Sequence, residues 1–204
     1  MNRRYIVITA LLLAAFALLG VSVLALMHQF TAPVIAEQAR DALNRQLAAV
    51  LPPGFDNDPA STAQDLPADP RLGGAGAVLY RANQAGKTSG WALRVVAPNG
   101  YSGAIHLLVG VSVTGEISGV RVLTHKETPG LGDPIELEKS PWILSFNGKS
   151  LLGLPPKGWA VKKDGGVFDQ FTGATITPRA VVQAVHHALE YVAEHQAEWL
   201  GESK

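Results

Sequence analysis

Thr172-Gly173-Ala174-Thr175-Ile176-Thr177 places three hydroxyls around a Gly-Ala pair, directly ahead of Pro178 and a helical pattern. Hydroxyls in this setting can hold a phosphate by hydrogen bonds or carry one as an ester. Thr177 has the side chain of a helix N-cap, and Pro178 suits the first helical position, where its missing N–H costs nothing. Thr175 is then left without a capping duty, in backbone expected to be irregular. Gly173 and Ala174 beside it leave room for a bulky group or another protein's active site to approach. A phosphate on Thr175 would lie near the first unpaired amides of the following helix, whose dipole favours an anion. Taken alone, the same residues also fit a Thr-rich turn that leads into a helix.

The elements that position this segment are legible in the hydrophobic pattern. Val181, Val182, Val185, Ala188, Leu189 and Val192 mark an apolar face on a closing helix from about Pro178 to Trp199. Strand patterns occupy 77–82, 90–97, 104–113 and 116–124, separated by turn clusters such as Gln84-Ala85-Gly86 and Pro98-Asn99-Gly100. Thr114-Gly115 predicts a tight hairpin between the last two. A Gly/Pro segment from Glu127 to Asp133 precedes a predicted helix from Pro134 to about Phe146, and a loop-rich stretch carries Lys162-Lys163-Asp164-Gly165-Gly166. The Pro-, Asp-, Ala- and Gly-rich residues 53–76 read as a long surface loop. Strands in one block with helices at both ends predict an α+β domain, a central antiparallel sheet flanked by helices.

Ahead of this domain, no residue from Ile6 to Met27 is charged. At about 1.5 Å rise per residue, a helix over that run spans a hydrocarbon core of roughly 30 Å. Arg3, Arg4 and the amino terminus precede it, and the first charge after it is Glu37, a bias that keeps the N-terminus cytoplasmic. The division expected is a membrane anchor over residues 1–29 and an extracytoplasmic domain over 30–204. Val23-Leu24-Ala25 would serve as a signal-peptide cleavage site, but the apolar run exceeds the roughly 7 to 15 residues of a signal core. Arg3-Arg4-Tyr5-Ile6-Val7 also bears a faint likeness to a twin-arginine signal. Ile35, Ala39, Ala42, Leu43 and Leu47 recur at helical spacing after the anchor and predict an amphipathic helix over 34–50.

Composition narrows the chemistry. With 17 basic and 17 acidic side chains, the chain lacks the positive footprint that binding a phosphate backbone requires, so nucleic acid is not an expected partner. It has no cysteine, which removes disulfides, thiolate metal sites, iron–sulfur clusters and Cys nucleophiles. Redox chemistry would have to come from a cofactor. The six histidines show no metal-ligand spacing: His186 and His187 are adjacent on a helix and face different directions. His125 reads as a strand-end surface residue, and Trp91, Trp142, Trp159 and Trp199 as packing residues.

The Thr172-to-Thr175 segment resembles the flavin-attachment motif of the FMN-binding domain family, Ser or Thr followed by Gly-Ala-Thr, and Asp169 stands three residues ahead as in that family's pattern. Members carry FMN as a phosphoester on the threonine after Gly-Ala, which here is Thr175. A separate flavin transferase makes the bond, with FAD as donor. Similarity extends over Tyr101-Ser102-Gly103-Ala104-Ile105, the Glu127-to-Asp133 segment and Trp159-Ala160-Val161-Lys162-Lys163-Asp164-Gly165-Gly166. With the single N-terminal anchor and the length, the chain resembles the G-subunit family of the Rnf (also Rsx) ion-translocating electron transport complexes, from about Val34 onward. The C subunit of the sodium-translocating NADH:quinone reductase has a similar domain but is typically longer. A membrane-tethered non-redox flavin sensor, and a scaffold subunit that binds nothing, are further alternatives.

The resemblance implies a flavin on the outer face of the cell inner membrane and a chain that works beside other membrane and iron–sulfur subunits. Such a complex moves electrons between ferredoxin and NAD while ions cross the membrane. A subunit of this kind holds and tunes its cofactor and needs no catalytic acid or base of its own. Physically, Glu127-Thr128-Pro129-Gly130-Leu131-Gly132 suits that role: Pro fixes a turn, the glycines let main chain approach a flat ligand, and backbone amides are freed to bond it. By resemblance this loop lies against the flavin ring; by pattern alone it joins a strand to a helix. Lys162 and Lys163 could offset phosphate charge or sit on a solvated turn. Tyr101, Ser102 and Gly103 could line the site or belong to a hairpin turn.

Overall fold

The computed structural model describes residues 3–74 and 76–201. The chain divides into two compact units, Met1–Leu43 and Asn44–Lys204. Helix α1 (Arg3–Ala48, 46 residues) makes up the described part of the first unit and the opening turn of the second. Its N-terminal run, with a mean hydropathy of 2.7, is long and apolar enough to cross a membrane. Large apolar side chains are exposed all round it, a distribution that suits hydrocarbon. Its hydroxyls are satisfied within the helix: Thr9, Ser22 and Thr31 donate to the carbonyls of Tyr5, Leu18 and Met27, at 2.9, 2.7 and 2.8 Å. The predicted amphipathic segment is a continuation of this helix, with Pro33 inside it.

The second unit is built on a five-stranded antiparallel sheet whose strands lie in chain order. They are β1 (Gln64–Asp65), β2 (Val78–Gln84), β3 (Lys87–Ala97), β4 (Ile105–Ser112) and β5 (Ile117–Thr124). The register Trp91↔Val111, Leu93↔Val109 and Val95↔Leu107 puts these six side chains on one face. Helix α2 (Ile176–Trp199) covers that face with the predicted stripe of Val181, Val182, Val185, Ala188, Leu189 and Val192. On the opposite face Gly90, Gly110 and Gly119 let the chain from Ala49 to Pro52 lie directly on the sheet backbone. A Cβ on Gly110 would stand 2.0 Å from the Val50 carbonyl oxygen, and Ser118 Oγ donates to that same oxygen at 2.5 Å. The sheet is therefore buried on both sides, which explains why β3 and β4 read as near-continuous apolar runs.

Three expectations are corrected. Residues 53–76 are more than a surface loop: they hold β1 and two 3-10 turns, Pro59–Thr62 and Pro70–Leu72, and they bury Pro59, Leu66 and Leu72. Their apolar residues are too sparse to show a period. The helix predicted from Pro134 to Phe146 is two 3-10 turns, Asp133–Ile135 and Pro141–Phe146. The first turn ends where Glu136 turns extended (ψ 135°), and Pro141 opens the second, where its missing N–H costs nothing. Ser140 Oγ accepts from Trp142 N at 3.2 Å and caps the second turn. Finally, α2 begins at Ile176, not at Pro178, and Thr177 is not its cap.

Candidate functional site

Phe171 to Ala174 form a small hairpin closed by Ala174 N donating to Phe171 O at 3.1 Å. Gly173 takes φ +81°, a conformation that a side chain would strain, and so turns the chain toward α2. Aromatic packing anchors this hairpin. Trp142 lies edge-on to Phe171 and Phe146, at 5.1 and 5.4 Å between centroids, and Phe146 stacks on Phe168 at 4.5 Å. The Trp142 indole N–H donates to Asp169 O at 2.7 Å. The loop that carries the threonines is thus tied to the buried sheet through a rigid aromatic cluster.

A cavity of about 210 Å³ opens where this hairpin and the start of α2 meet the 127–132 loop. Of the residues that the sequence singled out, Thr175, Gly173, Ala174, Glu127, Thr128, Leu131 and Gly132 line it. Tyr101 also lines it, and Ile176 and Thr177 complete it. Nothing in the periodicity pointed to Ile176, whose side chain is half exposed at the mouth. Thr172 sits at the exposed hairpin tip, Gly130 and Ser102 adjoin the cavity through Leu131 and Tyr101, and Gly103 is not among its walls. Asp169, Lys162 and Lys163 are not among its walls. Lys162 Nζ instead pairs with Asp169 Oδ1 at 2.5 Å on the surface, and Lys163 N donates to Gln170 Oε1 at 3.3 Å.

The three hydroxyls of the segment differ in their commitments. Thr177, fully buried, donates through Oγ1 to Glu127 Oε2 from inside the first turn of α2. Thr172 is exposed. Thr175 stands at the cap position with no side-chain capping bond, and its hydroxyl has no partner among the described residues. The first helical bond of α2 runs from Arg179 N to Thr175 O at 3.4 Å, so the amides of Ile176 and Thr177 lie beyond the helix ladder beside Thr175. Arg179 also grips Asp164 in a two-pronged pair, at 2.5 and 2.7 Å. That contact holds the Asp164 carboxyl below its usual range and binds the Lys162–Asp164 turn to the start of α2.

The 127–133 loop departs in one detail from what its sequence suggests. Gly130 N donates to Asp133 Oδ1 at 2.6 Å, and the Leu131 and Gly132 amides both donate to Thr128 O at 3.1 Å. These amides are engaged within the loop, which contributes Glu127, Thr128, Leu131 and Gly132 to the cavity wall. A Cβ on Gly132 would stand 2.9 Å from Glu127 Oε2 and Thr177 Oγ1. His125 is likewise no surface residue. Its side chain is largely buried, Nδ1 accepts from Glu127 N at 3.0 Å, and Nε2 pairs with Glu136 Oε1 at 2.7 Å. The amide donor leaves Nδ1 bare of hydrogen, so Nε2 carries it toward Glu136.

Comparison with known proteins places this geometry. Residues 100–190 match the FMN-binding domain family, and residues 1–50 match the RnfG N-terminal region. The G subunit of the Pseudomonas aeruginosa ion-translocating oxidoreductase complex is 56% identical over 192 residues, covering 93% of this chain and 90% of its own length. The chain belongs to this G-subunit family. Other members are the Vibrio cholerae protein, 46% identical over 91% of the chain and 90% of its own length, and the Shewanella amazonensis protein, 45% identical over 97% and 93%. All ten residues that line the cavity fall inside the stretch that matches the FMN-binding domain family, and α1 covers most of the match to the RnfG N-terminal region.

Proposed function

We propose that this member of the G-subunit family carries FMN as a phosphoester on Thr175 and relays electrons within a membrane-bound ion-translocating oxidoreductase complex. The observation that carries the reading is the state of the hydroxyls: Thr175 alone of the three both lines the cavity and is uncommitted. The amides at the start of α2 stand beside it and suit a phosphate. Lys162 and Lys163 do not line the cavity, so charge compensation falls to the helix start. FMN, when bound, supplies the one- and two-electron chemistry that a chain without cysteine lacks.

The walls fit such a group. Leu131, Tyr101 and Ile176 offer apolar surface, and Gly173 adds no side chain to the wall beside Thr175. At about 210 Å³ the cavity is smaller than the roughly 300–1,000 Å³ of sites that bury a whole ligand, which suits a cofactor held in part at the surface. The apolar helix α1, led by Arg3 and Arg4, supports anchoring in the inner membrane with the N-terminus cytoplasmic and the domain periplasmic. Partner membrane and iron–sulfur subunits would supply and accept the electrons, and a flavin transferase would attach the cofactor.

The test is mass spectrometry of the full chain produced with a flavin transferase. An added mass of FMN on the peptide holding Thr175, lost in Thr175→Ala and retained in Thr172→Ala and Thr177→Ala, is expected. Flavin that persists in Thr175→Ala would refute the assignment.

A further inference from the structure

In the cavity wall one carboxylate joins three of the segments that form it. Glu127 is only 4% exposed. Its Oε1 accepts from Ser102 N at 3.0 Å, and its Oε2 accepts from the Thr177 hydroxyl. Ser102 follows Tyr101 on the loop between β3 and β4, Glu127 itself opens the loop that carries Leu131 and Gly132, and Thr177 belongs to the first turn of α2. Two glycines mark how closely these segments close on it. A Cβ on Gly100 would stand 2.9 Å from Oε1, and one on Gly132 2.9 Å from Oε2. The Glu127 amide is in turn held by His125 Nδ1.

We propose that Glu127 is a positioning residue that assembles the flavin pocket and, as a buried carboxylate in its wall, makes the bound flavin harder to reduce. The inference rests on the FMN reading above. Both carboxylate oxygens accept from donors, and each donor arrives from a different wall. A buried group bonded in this way is displaced only by breaking both bonds, which fixes the loops relative to one another. Its charge opposes the arrival of an electron on a neighbouring ring, and low dielectric surroundings leave that opposition poorly screened.

Glu127→Gln separates the two roles. Its amide oxygen can still accept from Ser102 N, and its NH₂ can donate to Thr177 Oγ1 once that hydroxyl rotates, so the geometry survives while the charge is lost. The experiment is a spectroelectrochemical titration of the full chain in detergent, produced with a flavin transferase, alongside its mass spectrum and melting curve. Expected is flavin retained on Thr175 with the midpoint potential moved positive. The size is about tenfold in the reduction equilibrium, the effect of a unit charge within about 10 Å at the effective dielectric constant of a protein. Retained flavin with an unchanged potential overturns the inference. A wild-type chain that carries no covalent FMN would instead overturn the underlying reading and take this one with it. Should Glu127→Gln fail to fold, the double variant Glu127→Met with Thr177→Val replaces the carboxylate and its hydroxyl donor together by apolar groups, and an unchanged potential there overturns the inference as well. In the flavin-free Thr175→Ala background, Glu127→Ala should lower the melting temperature, a readout of the pocket scaffold alone, and an unchanged melting temperature removes the positioning role.

Discussion

Thr177→Ala tests most directly what tertiary packing does at the candidate site. As a helix cap, Thr177 would contribute about 1 kcal/mol. In the structure it is wholly buried inside α2 and donates to Glu127, itself buried. Removing the hydroxyl leaves a buried carboxylate oxygen without its donor, at about 1–3 kcal/mol, and the lost methyl adds roughly 0.8 kcal/mol. The total is about 3 kcal/mol. In a domain of this size that lowers the melting temperature by roughly 6–12 °C, against roughly 2–4 °C for a lost cap. Thr177→Ser keeps the donor and should fall by no more than about 4 °C. Differential scanning fluorimetry of the purified full chain measures all three, with in-gel flavin fluorescence run in parallel. Equal melting temperatures for Thr177→Ala and Thr177→Ser would refute the argument, and so would lost flavin with unchanged stability. In a double-mutant cycle, Thr177→Ala should cost less in the Glu127→Gln background, because the orphaned charge is gone.

Other outcomes follow from the packing elsewhere in the domain. Gly110→Ala forces a Cβ to within 2.0 Å of the Val50 carbonyl oxygen and should destabilise by about 3 kcal/mol, whereas Gly115→Ala, at φ +80° in open space, should cost about 1 kcal/mol; equal melting temperatures would contradict the packing of residues 49–52 on the sheet. His186 stacks on Trp159 at 5.1 Å, and burial pushes its pKa below the ordinary histidine value, with Glu190 opposing the shift and His187 reinforcing it. Because its folded pKa lies below the unfolded one, its contribution is complete above about pH 6.5 and is lost as pH falls through the folded pKa. The melting temperature should therefore decline on acidification from about pH 7.5 to 5.5, and His186→Phe, which keeps the stacking, should flatten that decline. A slope identical to wild type would rule the histidine out as its source.

Much of the fold was legible because it rests on local periodicity. The four long strands, the Thr114-Gly115 hairpin and the apolar stripe of α2 all repeat at the spacing of their own element, and each is found within a few residues of its predicted position. Residues 59–72 were not legible: Leu66 and Leu72 are single apolar residues among Pro, Asp and Gly, and only the core they reach explains them. Pro141, inside the predicted helix, marks the start of the second turn, whereas no proline or glycine marks the break at Glu136. Of the candidate site, the sequence pointed to Thr175, Gly173, Ala174, Glu127, Thr128, Leu131 and Gly132, and the structure gathers these around one cavity. Asp169, Lys162 and Lys163 fall outside it because the Lys162–Asp169 pair and the Asp164–Arg179 clasp hold their segment on the surface.

By itself, the sequence determined that one apolar helix leads an α+β domain, that thiol chemistry is absent, and that a hydroxyl near the start of the closing helix is available. These properties depend on residue type and short-range spacing, which a chain carries before it folds. Only the tertiary structure decided which hydroxyl is free. Thr175 and Thr177 are two residues apart and chemically alike, but Glu127, fifty positions upstream of Thr177, comes within hydrogen-bond reach of Thr177 alone. A side chain's commitment is set by the partner that the fold brings to it, and no local pattern records a partner that far away.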